Sequence, residues 1–583
     1  MRTTIIFFIL ISFAISAQRF IKITEGATVN DGGDSRSVNW VDYDRDGDLD
    51  LFVSNGKNGG QNNFFYKNNG NGAFTKIDSL VINQDNSPSV GASFGDFDND
   101  GYPDLFVSTW YNKKNFLYKN NGDGSFTQLS SSTVMADFTY SETGTWGDYN
   151  KDGSLDLYVT NSAGNTRNLL YTNNGDGSFT KQPQTGFLTD QYFSRNADFI
   201  EYNGDFLPDL FVVNEGSQNE NLYTNLGNGS FSRTGNVPLL NNGGSSISSN
   251  YEDIDNDGDM DFFISNAEGG RNWMFLNDGN SNFTKVAEPF NSDVANSFSS
   301  VFGDIDNDGD LDLFVSNAFN STATPMTNYL YINQGEGNFV RDTVTLASQT
   351  GWTYGAAFAD YDKDGWLDLF TANCFGANQN NSLYRNSGGL NNWLMIDLEG
   401  RRSNFDAIGS IVKVKVTENG VARWMTRRVS AQSGHCSQNM QLHFGLGTAT
   451  TIDSTVIYWS SGIVQNISGL SPNTFNRIVE DTTLTDIQTE SGESTIHEFK
   501  LMQNYPNPFN PVTTISYSIA ISGEVKVRVY DILGMLVKEV YSGHKPAGNH
   551  SIQFDAANLS SGIYIYELVS NGNRITKKLS LMK

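Results

Sequence analysis

Histidine is missing from the first 434 residues of this 583-residue chain; all five histidines lie at His435 or beyond. A histidine-based triad or a histidine-ligated zinc hydrolase is therefore excluded from the front of the molecule. Cysteine is scarcer still. Cys374 and Cys436 cannot build a disulfide framework, and leave open either one bridge or two buried thiols. Only 12 prolines accompany 57 glycines, which excludes collagen-like and proline-rich architectures. Basic residues are the minority sign, 38 against 65 acidic, for a formal net charge of -27. A nucleic-acid partner needs a basic face and is not expected. Beyond residue 17 no run approaches 18 apolar residues, so no transmembrane span is expected in the mature chain. What is present is 38% hydrophobic and 13% aromatic, enough for packed cores, and the length suggests about three to four domains.

Residues 1–17, MRTTIIFFILISFAISA, carry one early positive charge at Arg2, an apolar run from Ile5 to Ile15, and small residues at Ala14, Ser16 and Ala17. That run is too short to span a bilayer and reads as an export signal. No cysteine follows it closely enough for a lipoprotein anchor. The mature protein is expected outside the cytoplasm, where calcium is abundant.

One string organises residues 18–390: D-x-D-x-D-G-x-x-D followed by an apolar triplet. Copies begin at Asp42, Asp96, Asp148, Asp253, Asp304 and Asp360, and a degenerate copy begins at Glu201; successive starts are 51 to 56 residues apart. A second string, N-x-x-Y-x-N-x-G-x-G-x-F, lies between them, as in Asn115 to Phe126 and Asn168 to Phe179. Its Asn-Gly and Asp-Gly pairs are hairpin signals. About four short strands per repeat, seven times over, predict an all-β, seven-bladed β-propeller rather than an open solenoid. Phe20 to Ile23 matches Phe74 to Ile77, the last strand of a repeat, yet no acidic loop precedes it. This strand is expected to complete the seventh blade and close the ring.

Alternating acids before a glycine gather oxygens for a hard cation, and no soft ligand is present. The first loop offers Asp42, Asp44, Asp46 and Asp50, with the backbone carbonyl of Asp48. The second offers Asp96, Asp98, Asp100 and Asp104, with the carbonyl of Tyr102. The third offers Asp148, Asn150, Asp152 and Asp156, with Ser154. The fifth and sixth offer Asp253, Asp255, Asp257 and Asp261 with Asp259, and Asp304, Asp306, Asp308 and Asp312 with Asp310. The seventh offers Asp360, Asp362, Asp364 and Asp368, with Trp366. About six calcium ions are expected. The fourth loop, Glu201, Asn203, Asp205 and Asp209, is a weaker candidate, because Phe206 replaces the glycine and Asn203 an acid. EF-hands are excluded: position twelve holds Val, Ile or Thr instead of Glu, and the flanks are strand-like.

These repeats resemble the FG-GAP/VCBS repeats of integrin α propellers, a family that serves adhesion, recognition or scaffolding and is sometimes appended to enzymes. Residues 391–480 carry DAIGSIVKV (Asp406 to Val414), GHCSQ (Gly434 to Gln438), HFGLG (His443 to Gly447) and WSSG (Trp459 to Gly462), and resemble the ASPIC/UnbV domain of cartilage acidic protein-like chains. A small β domain is expected there, and Cys436 departs from the more usual apolar residue of that motif. Residues 481–498 are polar and read as a linker. Residues 499–583, with LMQNYPNPFNPVTTISYSI and FDAANLSSGIYIYEL, resemble the C-terminal sorting domain of type IX secretion, which implies an Ig-like β-sandwich and the type IX machinery as a partner.

Catalysis finds little support in the residues. His435 stands beside Cys436, but adjacent strand residues point to opposite faces and no orienting acid is evident. Trp110, Trp146, Trp273, Trp352 and Trp366 suit blade cores better than sugar stacking. The expectation is a secreted or surface-attached, calcium-binding, non-enzymatic adhesion or recognition module for a protein or glycan. The alternative is a carbohydrate-active or other polymer-processing protein with a pocket on the propeller face.

Overall fold

The computed structural model describes residues 19–582 apart from 165–166, 236, 242, 280–281, 287–288, 291, 319–323, 347–349, 375–377, 433, 436–438, 484–499, 505, 520–522, 533, 546–547 and 571–572. The export signal at 1–17, the body of the 481–498 linker and Cys436 fall outside the described residues. Among those described, no helix is long and apolar enough to cross a membrane.

Seven four-stranded antiparallel sheets follow one another along residues 20–386. Their innermost strands are Ser35–Val41, Ser89–Gly95, Ser141–Gly147, Ser194–Ile200, Ser246–Glu252, Ser297–Gly303 and Thr353–Ala359. Each runs into an acidic loop and returns as a second strand, beginning with Asp50–Asn55 and ending with Asp368–Asn373. The acidic loop is thus the hairpin between the two innermost strands of each sheet. Every innermost strand opens on Ser or Thr. In six sheets that hydroxyl donates to an Asn ending the second strand, as Ser35 does to Asn55 (2.9 Å) and Thr353 to Asn373 (3.0 Å). A bulge follows these residues in all seven sheets and adds twist to the inner strand.

Neighbouring sheets pack through aromatics. Trp40 of the first stacks on Tyr361 of the seventh at 6.1 Å, and Phe52 of the first meets Phe94 of the second edge-on at 5.9 Å. Each such ring, fully buried, contributes roughly 2–3 kcal/mol of transfer free energy. Phe20–Lys22 forms the outer strand of the seventh sheet, with Phe20 opposite Asn386 and Lys22 opposite Tyr384. The expected closing strand is there, and Phe20 is wholly buried against Phe314, Phe358, Leu369 and Tyr384.

The chain divides into two compact units, 1–486 and 487–583. The small β domain packs in the same compact unit as the propeller. It holds two sheets, Leu442–Gly447/Asn392–Glu399/Thr474–Val479 and Val421–Arg428/Ile411–Glu418/Ser454–Tyr458/Val464–Ile467. Its core of Leu394, Ile396, Val412, Val414, Phe444 and Trp459 runs continuously into Phe97, Trp146 and Leu157 of the second and third sheets. Composition marks where the repeat ends, but not that the following domain presents an apolar face to it. The second unit is a β-sandwich of a three-stranded and a four-stranded sheet, closed over Ile515, Tyr517, Val525, Val527, Phe554, Tyr566 and Leu568.

Candidate metal centres

Each acidic loop is a compact hairpin turn that folds its carboxylates inward. Position six takes positive φ, 86° to 101° in the six regular loops from Gly47 to Gly365, and its N–H donates to the position-one carboxylate, at 3.0 Å for Gly47 to Asp42 and 2.8 Å for Gly309 to Asp304. Position seven donates to the position-five carboxylate, as Trp366 does to Asp364 at 3.0 Å. The position-nine Asp begins the second strand and is held by a backbone N–H from the third strand, Asn68 to Asp50 at 2.7 Å and Asn333 to Asp312 at 2.9 Å. Oxygens within 4.8 Å of one another are contributed by Asp42, Asp44 and Asp50; by Asp96, Asp98 and Asp104; by Asp253, Asp255 and Asp261; and by Asp304, Asp306 and Asp308.

These nests suit a cation. Burial is the main force on the position-nine acids, with the neighbouring loop carboxylates adding to it. Asp50, Asp209 and Asp261 are pushed up to about 8, Asp156 to about 9, and Asp104, Asp312 and Asp368 well above the usual range. Burial also lifts Asp42, Asp148 and Asp253 to about 6 and Asp304 and Asp360 to about 7. Carboxylates so placed do not all ionise at neutral pH without a compensating positive charge. Buried oxygens on Asp42, Asp44, Asp50, Asp98, Asp156, Asp253, Asp306, Asp362 and Asp368 accept no hydrogen bond from the described residues. Such inward-facing, all-oxygen acceptors match a hard divalent ion.

Some of the predicted loop residues also make other contacts. The position-seven carboxylates of Asp48 and Asp310 turn to neighbouring loops, toward Lys363 Nζ (2.6 Å) and Asn256 Nδ2 (2.7 Å). Asn203 spends its amide on Asp209 (3.0 Å). The fourth loop is nonetheless intact: Glu201, Asp205 and Asp209 converge within 4.8 Å. Position four is left-handed throughout the set (Arg45, Asn99, Lys151, Asn256, Asn307 and Lys363, φ 55° to 60°). The fourth loop has its glycine there, at Gly204, and Phe206 bears φ 63° at position six. The glycine has moved two places while the backbone path is kept.

Two further features were not foreseen. The Asn of the hairpin string staples sheet to sheet: Asn120 Nδ2 donates to Tyr43 O (2.9 Å), Asn173 to Phe97 O (2.6 Å), Asn225 to Tyr149 O (2.7 Å), Asn333 to Ile254 O (3.0 Å), Asn386 to Ile305 O (2.8 Å) and Asn68 to Tyr361 O (2.8 Å). The third strand also brings cations to three consecutive loops around the ring. Lys67 contacts Asp44 and Asp46, Lys119 contacts Asp98 and Asp100, and Arg385 contacts Asp362 (2.6 Å) and Asp364 (3.1 Å). The equivalent residues elsewhere are Thr172, Thr224, Leu276 and Ile332.

The small β domain docks on the loop face. Gly445 N donates to Asp304 (3.0 Å), Asp96 N to Asp406 (2.6 Å) and Phe405 N to Asn99 (2.9 Å). Its segment around Gly434 and His435 enters the ring's centre, where Gly434 N reaches Asn250 (3.0 Å) and His435 N reaches Ser299 (3.0 Å). His435 is wholly buried, 3.2 Å from the Tyr354 hydroxyl and 3.8 Å from Glu142, so an acid does approach it. Burial, reinforced by Arg195 and Arg36, holds its pKa well below the ordinary value, and burial brings His443 down to about 3. Both are neutral at physiological pH. Cys374 is a buried free thiol, and the bridge considered for it involves Cys436, outside the described residues. Trp146 is core, Trp366 nearly so, and Trp110 stands at the opposite mouth of the ring.

The FG-GAP-like repeat profile matches residues 42–107, 96–159, 148–212, 201–264, 253–315 and 319–371. The chain belongs to the FG-GAP-like repeat family. Behind the FG-GAP-like repeats, residues 400–485 match the ASPIC and UnbV domain and residues 503–582 the secretion system C-terminal sorting domain. The sorting domain is a type IX secretion signal and marks the protein as extracellular, secreted or at the cell surface. Cartilage acidic protein 1 of Homo sapiens is 23% identical over 509 residues, covering 78% of this chain and 74% of that protein. The Mus musculus protein of the same name is 27% identical over 267 residues, covering 44% and 40%. A crystal structure of a Lactobacillus plantarum protein aligns at TM-score 0.35 and 14% identity, covering 53% of this chain and 85% of that one.

Proposed function

We propose that this protein is an extracellular recognition module whose FG-GAP-like loops bind calcium as a structural cofactor and which carries out no catalysis. The observation that supports this most is repetition. The same carboxylate hairpin, with buried oxygens lacking donors, recurs from sheet to sheet at the junction of the two innermost strands. A reaction centre is needed once, whereas a device that pins each sheet is needed in each. The docking of the small β domain against these loops supports the same reading, since it uses the metal face as a packing surface. The neutral, buried His435 and His443 offer no general base to solvent.

The test uses the purified full chain loaded with calcium. Bound calcium is counted by elemental analysis, and the protein is screened against immobilised extracellular proteins and glycans and against hydrolase and lyase substrates. Bound calcium with saturable binding and no turnover is the expected result. Turnover of any polymer would establish the alternative of a polymer-processing enzyme.

A further inference from the structure

The end of the ring opposite the metal loops holds a cavity of about 680 Å³. It is lined by the opening residues of inner strands, among them Arg36, Glu142, Arg195 and Tyr354, and by the loops that follow second strands, which carry Trp110 and Glu215. From the far side the docked small domain reaches the inner strands, with Gly434 N on Asn250 and His435 N on Ser299. Gly434 takes φ 58° in this docked segment, and a Cβ there would stand 2.1 Å from the Ser300 carbonyl oxygen, so this residue must be glycine. His435, next to it, meets the Tyr354 hydroxyl at 3.2 Å. Tyr354, which lines the cavity, thus forms its floor where the docked segment meets it.

A continuous polar chain climbs from that floor to the rim. Arg195 Nη2 donates to the Tyr354 hydroxyl (2.9 Å), Arg195 Nη1 to Glu142 (2.7 Å), Ser162 to Glu142, and Trp110 Nε1 to Ser162 Oγ (3.0 Å). Across from it the wall is apolar, with Ile247, Phe298 and Met326. Trp110 is set edge-on against Tyr111 (4.8 Å) and Tyr140 (5.0 Å). Tyr111 and Asn112 both hold left-handed backbone, φ 59° and 57°.

The chemistry selects a ligand class. Two guanidiniums, Arg36 and Arg195, face three carboxylates, Glu142, Glu215 and Glu268, so neither a polyanion nor a cation is favoured. A neutral ring with hydroxyls on its edge and C–H groups on its faces satisfies both sides. Guanidiniums donate to its hydroxyls, carboxylates accept from them, and the indole stacks on its face. We propose that this plugged mouth binds the terminal sugars of a neutral glycan. This rests on the recognition reading above and gives it a site and a ligand class.

The calcium-loaded full chain is applied to a printed array of neutral and acidic glycans, and the strongest neutral hit is titrated by calorimetry. Trp110→Ala and Glu215→Gln are expected to weaken binding tenfold or more while melting temperature and bound calcium stay at the parent's values. Two variants are used so that a folding defect in one leaves the other to decide. Affinities within twofold of the parent in a folded variant, or hits confined to acidic glycans, overturn the proposal. If no glycan binds but an immobilised extracellular protein does, this inference falls and the recognition reading stands. If neither binds, both fall.

Discussion

Chelation tests the metal assignment most directly. A calcium site with a dissociation constant of about 0.1 mM, facing about 1 mM calcium, adds roughly 1.4 kcal/mol of stability by mass action. Six independent sites would add on the order of 8 kcal/mol, comparable with the whole stability of an ordinary domain. For a unit ending at Asp486 the unfolding entropy is about 1 kcal/mol/K, so EDTA should lower its melting temperature by about 8 °C at pH 7.5. The effect should also depend on pH. In the calcium-free fold the position-nine acids Asp50, Asp209 and Asp261 are raised to about 8, far above their unfolded value, so the folded state binds more protons than the unfolded one. That contribution is complete below about pH 4 and is lost as pH rises through 8. The chelated protein should therefore melt higher at pH 5.5 than at pH 8, and calcium should close most of that gap. Differential scanning calorimetry with and without EDTA at the two pH values reads both effects. An unchanged melt in EDTA at pH 7.5, with no bound metal by elemental analysis, would refute the reasoning.

Three substitutions probe individual parts. Asn173→Ala removes bonds to Phe97 O (2.6 Å), Leu155 O (3.1 Å) and Gly175 N (3.0 Å), and should cost about 2–4 kcal/mol, read as a drop in urea midpoint at constant slope. Phe206→Gly relieves left-handed backbone at an exposed side chain and should stabilise by about 1 kcal/mol in the same assay. Lys119→Met removes an ammonium seated on Asp98 and Asp100, and should raise calcium affinity at the second loop about tenfold, measured by competition with a chelating dye.

The loops were legible in the chain because their chemistry is local. Nine consecutive residues carry the acids and the turn glycine, and seven copies display the period. The closing strand was legible for the same reason, since Phe20 to Ile23 repeats Phe74 to Ile77. What escaped notice joins distant residues. The Asn120 staple spans 77 positions to Tyr43, and Asn196 meets Gln432 across 236. The hairpin string reads locally as a turn, so its Asn looked like turn chemistry, and only the ring shows that its amide crosses to the preceding sheet. The Gly434–His435 plug was hidden similarly: within its own domain the segment is a short polar stretch, and its meaning comes from Asn250, Ser299 and Tyr354 on three inner strands. The fourth loop misled for a different reason. The absence of glycine at position six reads as a broken motif unless one knows that position four is also left-handed, which makes Gly204 an equivalent solution.

The division of labour between the two ends of the ring follows from these contacts. At one end the backbone groups of Asp96 and Gly309 and the side chain of Asp304 are engaged by Asp406, Arg427 and Gly445, so the metal loops cannot also present those groups to a soluble partner. Under the calcium assignment proposed above, metal binding and docking of the small domain would reinforce each other, because the Asp304 carboxylate that would face the ion also accepts from Gly445 N of the docked strand. The plug couples this to the far mouth, because the segment that seats His435 beneath Tyr354 belongs to the same docked domain. Recognition at the mouth should therefore weaken when calcium is removed, although among the described residues no carboxylate of the acidic hairpins lines it.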